Sequence, residues 1–166
     1  GLSLMRFTNS VSNYGLVSKL LHWGIALSII GLIWLGWYMV DLTYFDKWYN
    51  QSLALHKALG MLVLGLVLIL YVWKIISLSP SFAASVPAWQ RTAATMMHYV
   101  LMFLMLVIPL SGYLVSTSAG KPVSFFGFFD VPPMFEKDDA TRDLVIVLHF
   151  YLSYGVGVLV LGHAGA

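Results

Sequence analysis

The chain has no cysteine among its 166 residues. That excludes disulfides, all-cysteine iron–sulfur ligation and thioether attachment of a prosthetic group. Charge is also scarce: Asp, Glu, Lys and Arg make up 10% of the residues, against about 25% in a soluble domain. Too few charges remain to coat a globule in water, so a cytosolic enzyme and a disordered chain are both excluded. The net charge is +2, which leaves no basic stripe for nucleic acid. Hydrophobic residues, in contrast, make up 60% of the chain, and its mean hydropathy is +0.84. Membrane spans are therefore the first expectation.

The charges cluster, and the gaps between them are long. Residues 20–40, 58–73, 92–120 and 144–166 contain no Asp, Glu, Lys or Arg. Crossing the hydrocarbon core takes about 20 apolar residues. Lipid offers the backbone no hydrogen-bond partners, so each span must be helical. The chain is thus expected to be an all-α membrane protein, one integral-membrane domain over 1–166. Its four transmembrane helices are expected near 20–40, 54–77, 95–117 and 142–166, with residues 1–19 as an interfacial arm. Ser79-Pro80-Ser81 and Pro87 break the second connection, and Lys121-Pro122 and Pro132-Pro133 lie in the third and longest. Trp34, Trp37, Tyr38, Tyr44, Trp48 and Tyr49 form an aromatic belt for one membrane face, with Tyr71, Trp73 and Trp89 for the other. The first apolar run is too long for a signal peptide.

Orientation follows weakly from charge. The N-terminal arm and second connection carry Arg6, Lys19, Lys74 and Arg91 and no acid. The other side holds Lys47, Lys57, Lys121, Lys137 and Arg142 together with all the acids. The basic counts nearly balance; the acid-free side is expected to be cytoplasmic, with the N-terminus inside.

Five histidines are the strongest metal ligands present: His22, His56, His98, His149 and His163. Histidine inside a span is costly and tends to be functional; the bland alternative is an interhelical or interfacial hydrogen bond. His149 and His163 lie 14 residues apart, about 40° short of four turns, so they share a helix face about 21 Å apart along the axis. Antiparallel helices then match depths. His22 opens the first helix on the side where the fourth ends, near His163. His56 opens the second helix on the side where the fourth begins, near His149. Two transverse pairs stacked in a four-helix bundle suit two bis-histidine haems. Gly24, Gly31, Gly60, Gly155, Gly157 and Gly162 lie among these positions, either to leave room for a flat macrocycle or to allow close helix packing.

His98 begins the third helix on the side of His22 and His163, where one iron accepts two axial imidazoles. Its roles stay open: ligand, propionate or quinone contact, or ordinary interfacial residue. A zinc or proton-coupled transporter is disfavoured, because the span interiors hold no carboxylate. Hydrolysis is disfavoured too, for want of a Ser-His-Asp grouping at one depth. Met96, Met97, Met102, Phe103 and Met105 read as packing, and Pro109 is expected to kink the third helix.

Lys19-Leu-Leu-His22-Trp23, His56-Lys-Ala-Leu-Gly60, His98 with Pro109 and Gly112, and Gly162-His163-Ala164 together resemble the bacterial cytochrome b561 family. The resemblance runs over essentially the whole chain. It implies a four-helix inner-membrane cytochrome with two haem b, whose iron ligands fall on His22, His163, His56 and His149. In that family the third-helix histidine is not usually an axial ligand. The chain ends three residues after His163, where members usually continue into a basic tail that bears on quinone or partner binding. The implied function is transmembrane electron transfer, with quinone as one partner. Some relatives are superoxide oxidases that reduce ubiquinone; the rival is a haem-bearing anchor or carrier subunit for a dehydrogenase or redox protein. Lys57, Lys121 and Arg142 would attract an anion such as superoxide. Asp130, Glu136, Asp138, Asp139 and Asp143 oppose that attraction and would suit a cationic redox partner.

Overall fold

The computed structural model describes residues 7–10 and 13–165; Arg6, part of the orientation argument, lies outside them. Four helices follow one another: α1 (Leu16–Met39), α2 (Tyr49–Ile76), α3 (Ala88–Ser118) and α4 (Asp139–Ala164). All four are long and apolar enough to cross a membrane. A small antiparallel sheet, β1 (Val123–Phe125) with β2 (Phe129–Val131), interrupts the connection between α3 and α4.

Every helix begins before its charge-free run. The starts at Leu16, Tyr49, Ala88 and Asp139 precede the expected ones because polar and charged residues ahead of the apolar runs, such as Lys19, Asn50, Gln51, Arg91 and Thr141, remain helical. Lys19, Lys57, Arg91 and Arg142 all lie in first turns or soon after. Pro87 stands at the N-cap of α3 with φ −60°, where its missing N–H is no loss. Asp138 caps α4, its side chain accepting from the Thr141 amide at 3.2 Å, a contact worth about 1 kcal/mol.

Few residues are buried, as expected where lipid rather than water surrounds the bundle. The central cluster is Ile25 of α1 with Val63, Val67 and Leu70 of α2, and Met105 and Leu106 of α3 pack against it. Large apolar side chains such as Trp34, Trp37, Leu68, Phe103 and Tyr151 stay exposed on the outside. Trp34 and Tyr38 stack on the belt face with ring centres 5.8 Å apart. On the opposite face two belt residues turn inward. Tyr71 donates to the Met102 carbonyl at 2.7 Å and Trp73 to Ser18 Oγ at 2.8 Å.

The described part of the arm is tied down at Asn9. Asn9 donates to the Leu78 carbonyl and accepts from the Gly15 amide and Ser18 Oγ. Gly15 is required there, because a Cβ would lie 2.4 Å from the backbone of Thr8.

At the other end the long loop clamps the exit of α3. Thr117 Oγ1 accepts from the Met134 amide, the Asp138 amide donates to the Ser118 carbonyl, and the Tyr113 hydroxyl donates to the Pro132 carbonyl. The hairpin turns through residues 126–128, with Phe126 and Gly127 both at positive φ. Amide bonds from Phe128 to the Phe125 carbonyl and from Gly127 to Ser124 Oγ hold it.

The helices pack unevenly. α3 lies closely on α4, α1 on α2, and α2 joins the two pairs through α3. α1 and α4 touch sparsely, and α2 and α4 less still.

Candidate functional site

The loosely packed helix pairs are those that carry facing histidines. His22 of α1 and His163 of α4 have ring centres 6.2 Å apart, with ring planes at 58°. His56 of α2 and His149 of α4 have ring centres 6.3 Å apart, with planes at 88°. A metal held between two imidazoles needs a bond of about 2 Å to each. Adding about 1 Å from each nitrogen to its ring centre gives about 6 Å, so both pairs are spaced for one metal ion. Each is held on two helices whose backbones stand apart, as a wide planar ligand requires.

The His56–His149 end is built in detail. His149 Nδ1 lies 3.0 Å from the Ile108 carbonyl and 2.9 Å from Ser111 Oγ. A carbonyl only accepts, so Nδ1 carries the proton and Nε2 is left as a lone-pair donor, the tautomer a metal ligand needs. Ser111 Oγ donates to the same Ile108 carbonyl at 2.6 Å. Ile108 precedes Pro109, so the helix-interior proline sits beside the anchor of the ring. Two glycines make room. A Cβ on Gly36 would come 3.2 Å from His56 Cε1, and one on Gly112 would come 3.0 Å from His149 Cε1. His56 Nδ1 is buried with no hydrogen-bond partner among the described residues, so the protein has not committed this ring to another task.

The His22–His163 end differs. His98 stands against His163 with ring centres 5.4 Å apart, closer than a shared metal would place them. The structure therefore gathers three histidines here, with His163 between the other two. Trp23 packs edge-on against His22 at 5.0 Å. None of these three rings has a side-chain hydrogen bond among the described residues.

Among the described residues no three His, Asp or Glu side chains are grouped to hold a metal ion. A centre with two imidazoles draws its remaining ligands from the cofactor, as a porphyrin ring supplies four nitrogens. The donor set and the spacing both fit haem. Of the glycines singled out in the sequence, Gly24, Gly31, Gly60, Gly155, Gly157 and Gly162 would have no protein atom within 4 Å of an added Cβ. They do not serve close helix packing. Gly36, Ser111 and the Ile108 carbonyl carried no sequence signal; their roles depend on helix register, which periodicity leaves open.

A family profile described as prokaryotic cytochrome b561 matches residues 13–166. Cytochrome b561 homolog 2 of Escherichia coli (strain K12) is 40% identical over 159 residues, covering 96% of this chain and 85% of the relative. Cytochrome b561 homolog 1 of the same strain is 34% identical over 87 residues, 52% of this chain and 49% of the relative. With match, fold and paired histidines in agreement, the chain belongs to the prokaryotic cytochrome b561 family, as a multi-pass bacterial membrane protein of haem-b electron transfer.

Proposed function

We propose that the chain holds two haem b, one between His22 and His163 and one between His56 and His149, and passes electrons between the two membrane faces. The observation that carries this reading is the pair of 6 Å gaps, 6.2 and 6.3 Å between ring centres, on helices that otherwise barely touch. Bound haem supplies one-electron redox chemistry. The chain's own residues do the rest. His149, fixed by the Ile108 carbonyl, would present its Nε2 to the iron. Gly36 and Gly112 let the rings of His56 and His149 lie flush against α1 and α3. The apolar span between the two histidine levels, about 21 Å along α4, excludes water.

Quinone is the proposed partner at the His22–His163 end. His98 is exposed there beside His163 and would donate to a quinone carbonyl. The N-terminal arm is placed on the cytoplasmic side, where Lys19, Lys74 and Arg91 stand without acids. Superoxide is the alternative electron donor at the opposite end. Two superoxide ions would give up one electron each, leaving oxygen, and one quinone would take two electrons and two protons. Lys57 and Lys121 favour that anion, since no ion pair among the described residues neutralises them.

Anaerobic stopped-flow spectroscopy tests the reading. Mixing oxidised protein with a ubiquinol analogue should reduce the haems, and His98→Ala should slow this step. Reduction by superoxide but not by quinol would instead support the enzyme that oxidises superoxide.

A further inference from the structure

The hairpin does not lie over the bundle mouth alone; β1 packs along α2. Between them runs an open groove of about 280 Å³, lined by Met61, Leu62, Gly65, Leu66 and Ile69 of α2 and by Phe125, Phe129 and Val131 of the hairpin. Its walls are almost wholly apolar. Phe125 and Phe129 stack at 5.0 Å to form one side. From Met61 to Ile69 the groove follows α2 for about 12 Å, along a span that lipid surrounds.

The head of the groove is basic. Lys57 lies one turn before Met61 and two turns before Gly65 on the same strip of α2. Lys121 lies two residues before Val123, which is buried at the start of the hairpin. Lys121 thus leads into the strand that packs on α2, the helix that carries Lys57. Among the described residues the ion pair present is Lys137 with Asp139, at 3.8 Å, so neither Lys57 nor Lys121 is held in an ion pair. Two lysines outside any ion pair, ahead of an apolar groove that runs along the span, are complementary to an anion that carries a hydrocarbon chain. A neutral ligand would leave both lysines without a counter-charge.

We propose that this groove is a binding site for an anionic phospholipid, with the phosphate between Lys57 and Lys121 and an acyl chain along Gly65 between α2 and the hairpin. The lipid would join the hairpin to α2 and supply a counter-charge to the lysines. The site is independent of which histidines hold haem.

Native mass spectrometry of the purified full-length holoprotein tests this, using mixed micelles of phosphatidylglycerol and phosphatidylcholine of matched chain length. Wild-type protein should retain one phosphatidylglycerol in clear preference to phosphatidylcholine. Lys57→Gln and Lys121→Gln should each lower that preference about fivefold. Gly65→Leu should reduce retention of both lipids, because a side chain there meets no protein atom within 4 Å and enters the groove itself. An unchanged haem spectrum certifies that each variant is folded. Equal retention of the two lipids, or a preference that survives both lysine substitutions, would overturn the proposal. So would retention of added ubiquinone, or formation of a dimer, that Gly65→Leu abolishes and the lysine variants leave intact.

Discussion

The two ends of the bundle hold their histidines in different ways. At the His56–His149 end the ring of His149 is fixed by the Ile108 carbonyl and Ser111, and Gly36 and Gly112 are shaped around the two rings. At the His22–His163 end no hydrogen bond among the described residues orients a ring, the site is more open, and His98 crowds in as a third imidazole. The first end is organised by the protein's own contacts. The second leaves orientation to the cofactor and keeps a spare polar group facing outward. That contrast suits one end for stable ligation and the other for exchange with a diffusible partner.

The strongest way to break the comparison is to remove ligands one at a time. His56→Ala and His149→Ala should each abolish the same haem, and His22→Ala and His163→Ala should each abolish the other. The reason is depth: a change of partner would have to bridge about 21 Å along α4. Low-temperature optical spectra and EPR resolve the centres in each variant. Loss of the His22-side haem in His98→Ala, with its retention in His163→Ala, would reassign that end.

Gly112→Val probes the shaped end by overfilling it. With His149 Cε1 already 3.0 Å from where a Cβ would stand, the ring must move, at about 1–3 kcal/mol. Haem content at the His56–His149 end should fall while the other centre persists. Difference spectra of membranes from the two strains would show it.

Ser111→Ala is milder. The Ile108 carbonyl still anchors His149 Nδ1, so cofactor retention should weaken by about tenfold, the low end for an outer-shell partner. Haem transfer to apomyoglobin measures this, and only the His56–His149 centre should respond.

His98→Ala should have the smallest effect on haem content, leaving both centres in place. Its effect belongs to the quinol reaction, where the observed reduction rate should drop. An unchanged rate would remove His98 from the partner site.

How much of this was legible beforehand depends on what each feature rests on. The four spans were readable because charge-free runs are a one-dimensional property of the chain. The helices start before the expected bounds, because Lys19 and Arg91, and the polar residues Asn50, Gln51 and Thr141, look like loop residues yet lie in α1, α3, α2 and α4. The approach of His22 to His163 and of His56 to His149 followed from helix direction and rise alone. The hairpin at 123–131 was missed. Its turn places Phe126 at φ 52°, a conformation that the usual turn residues Asn and Asp would have signalled and phenylalanine does not. The contacts of Gly36 with His56 and of Ile108 with His149 depend on how neighbouring helices are rotated and staggered. Apolar periodicity cannot report that in a membrane, where every face is apolar.

The central claim is that four histidines form two separate iron sites, and haem stoichiometry tests it most directly. A pyridine haemochrome assay on purified protein, set against amino-acid analysis, should give two haem b per chain. A ratio of one would contradict the account, because it would leave one of the two histidine pairs without the metal its spacing fits.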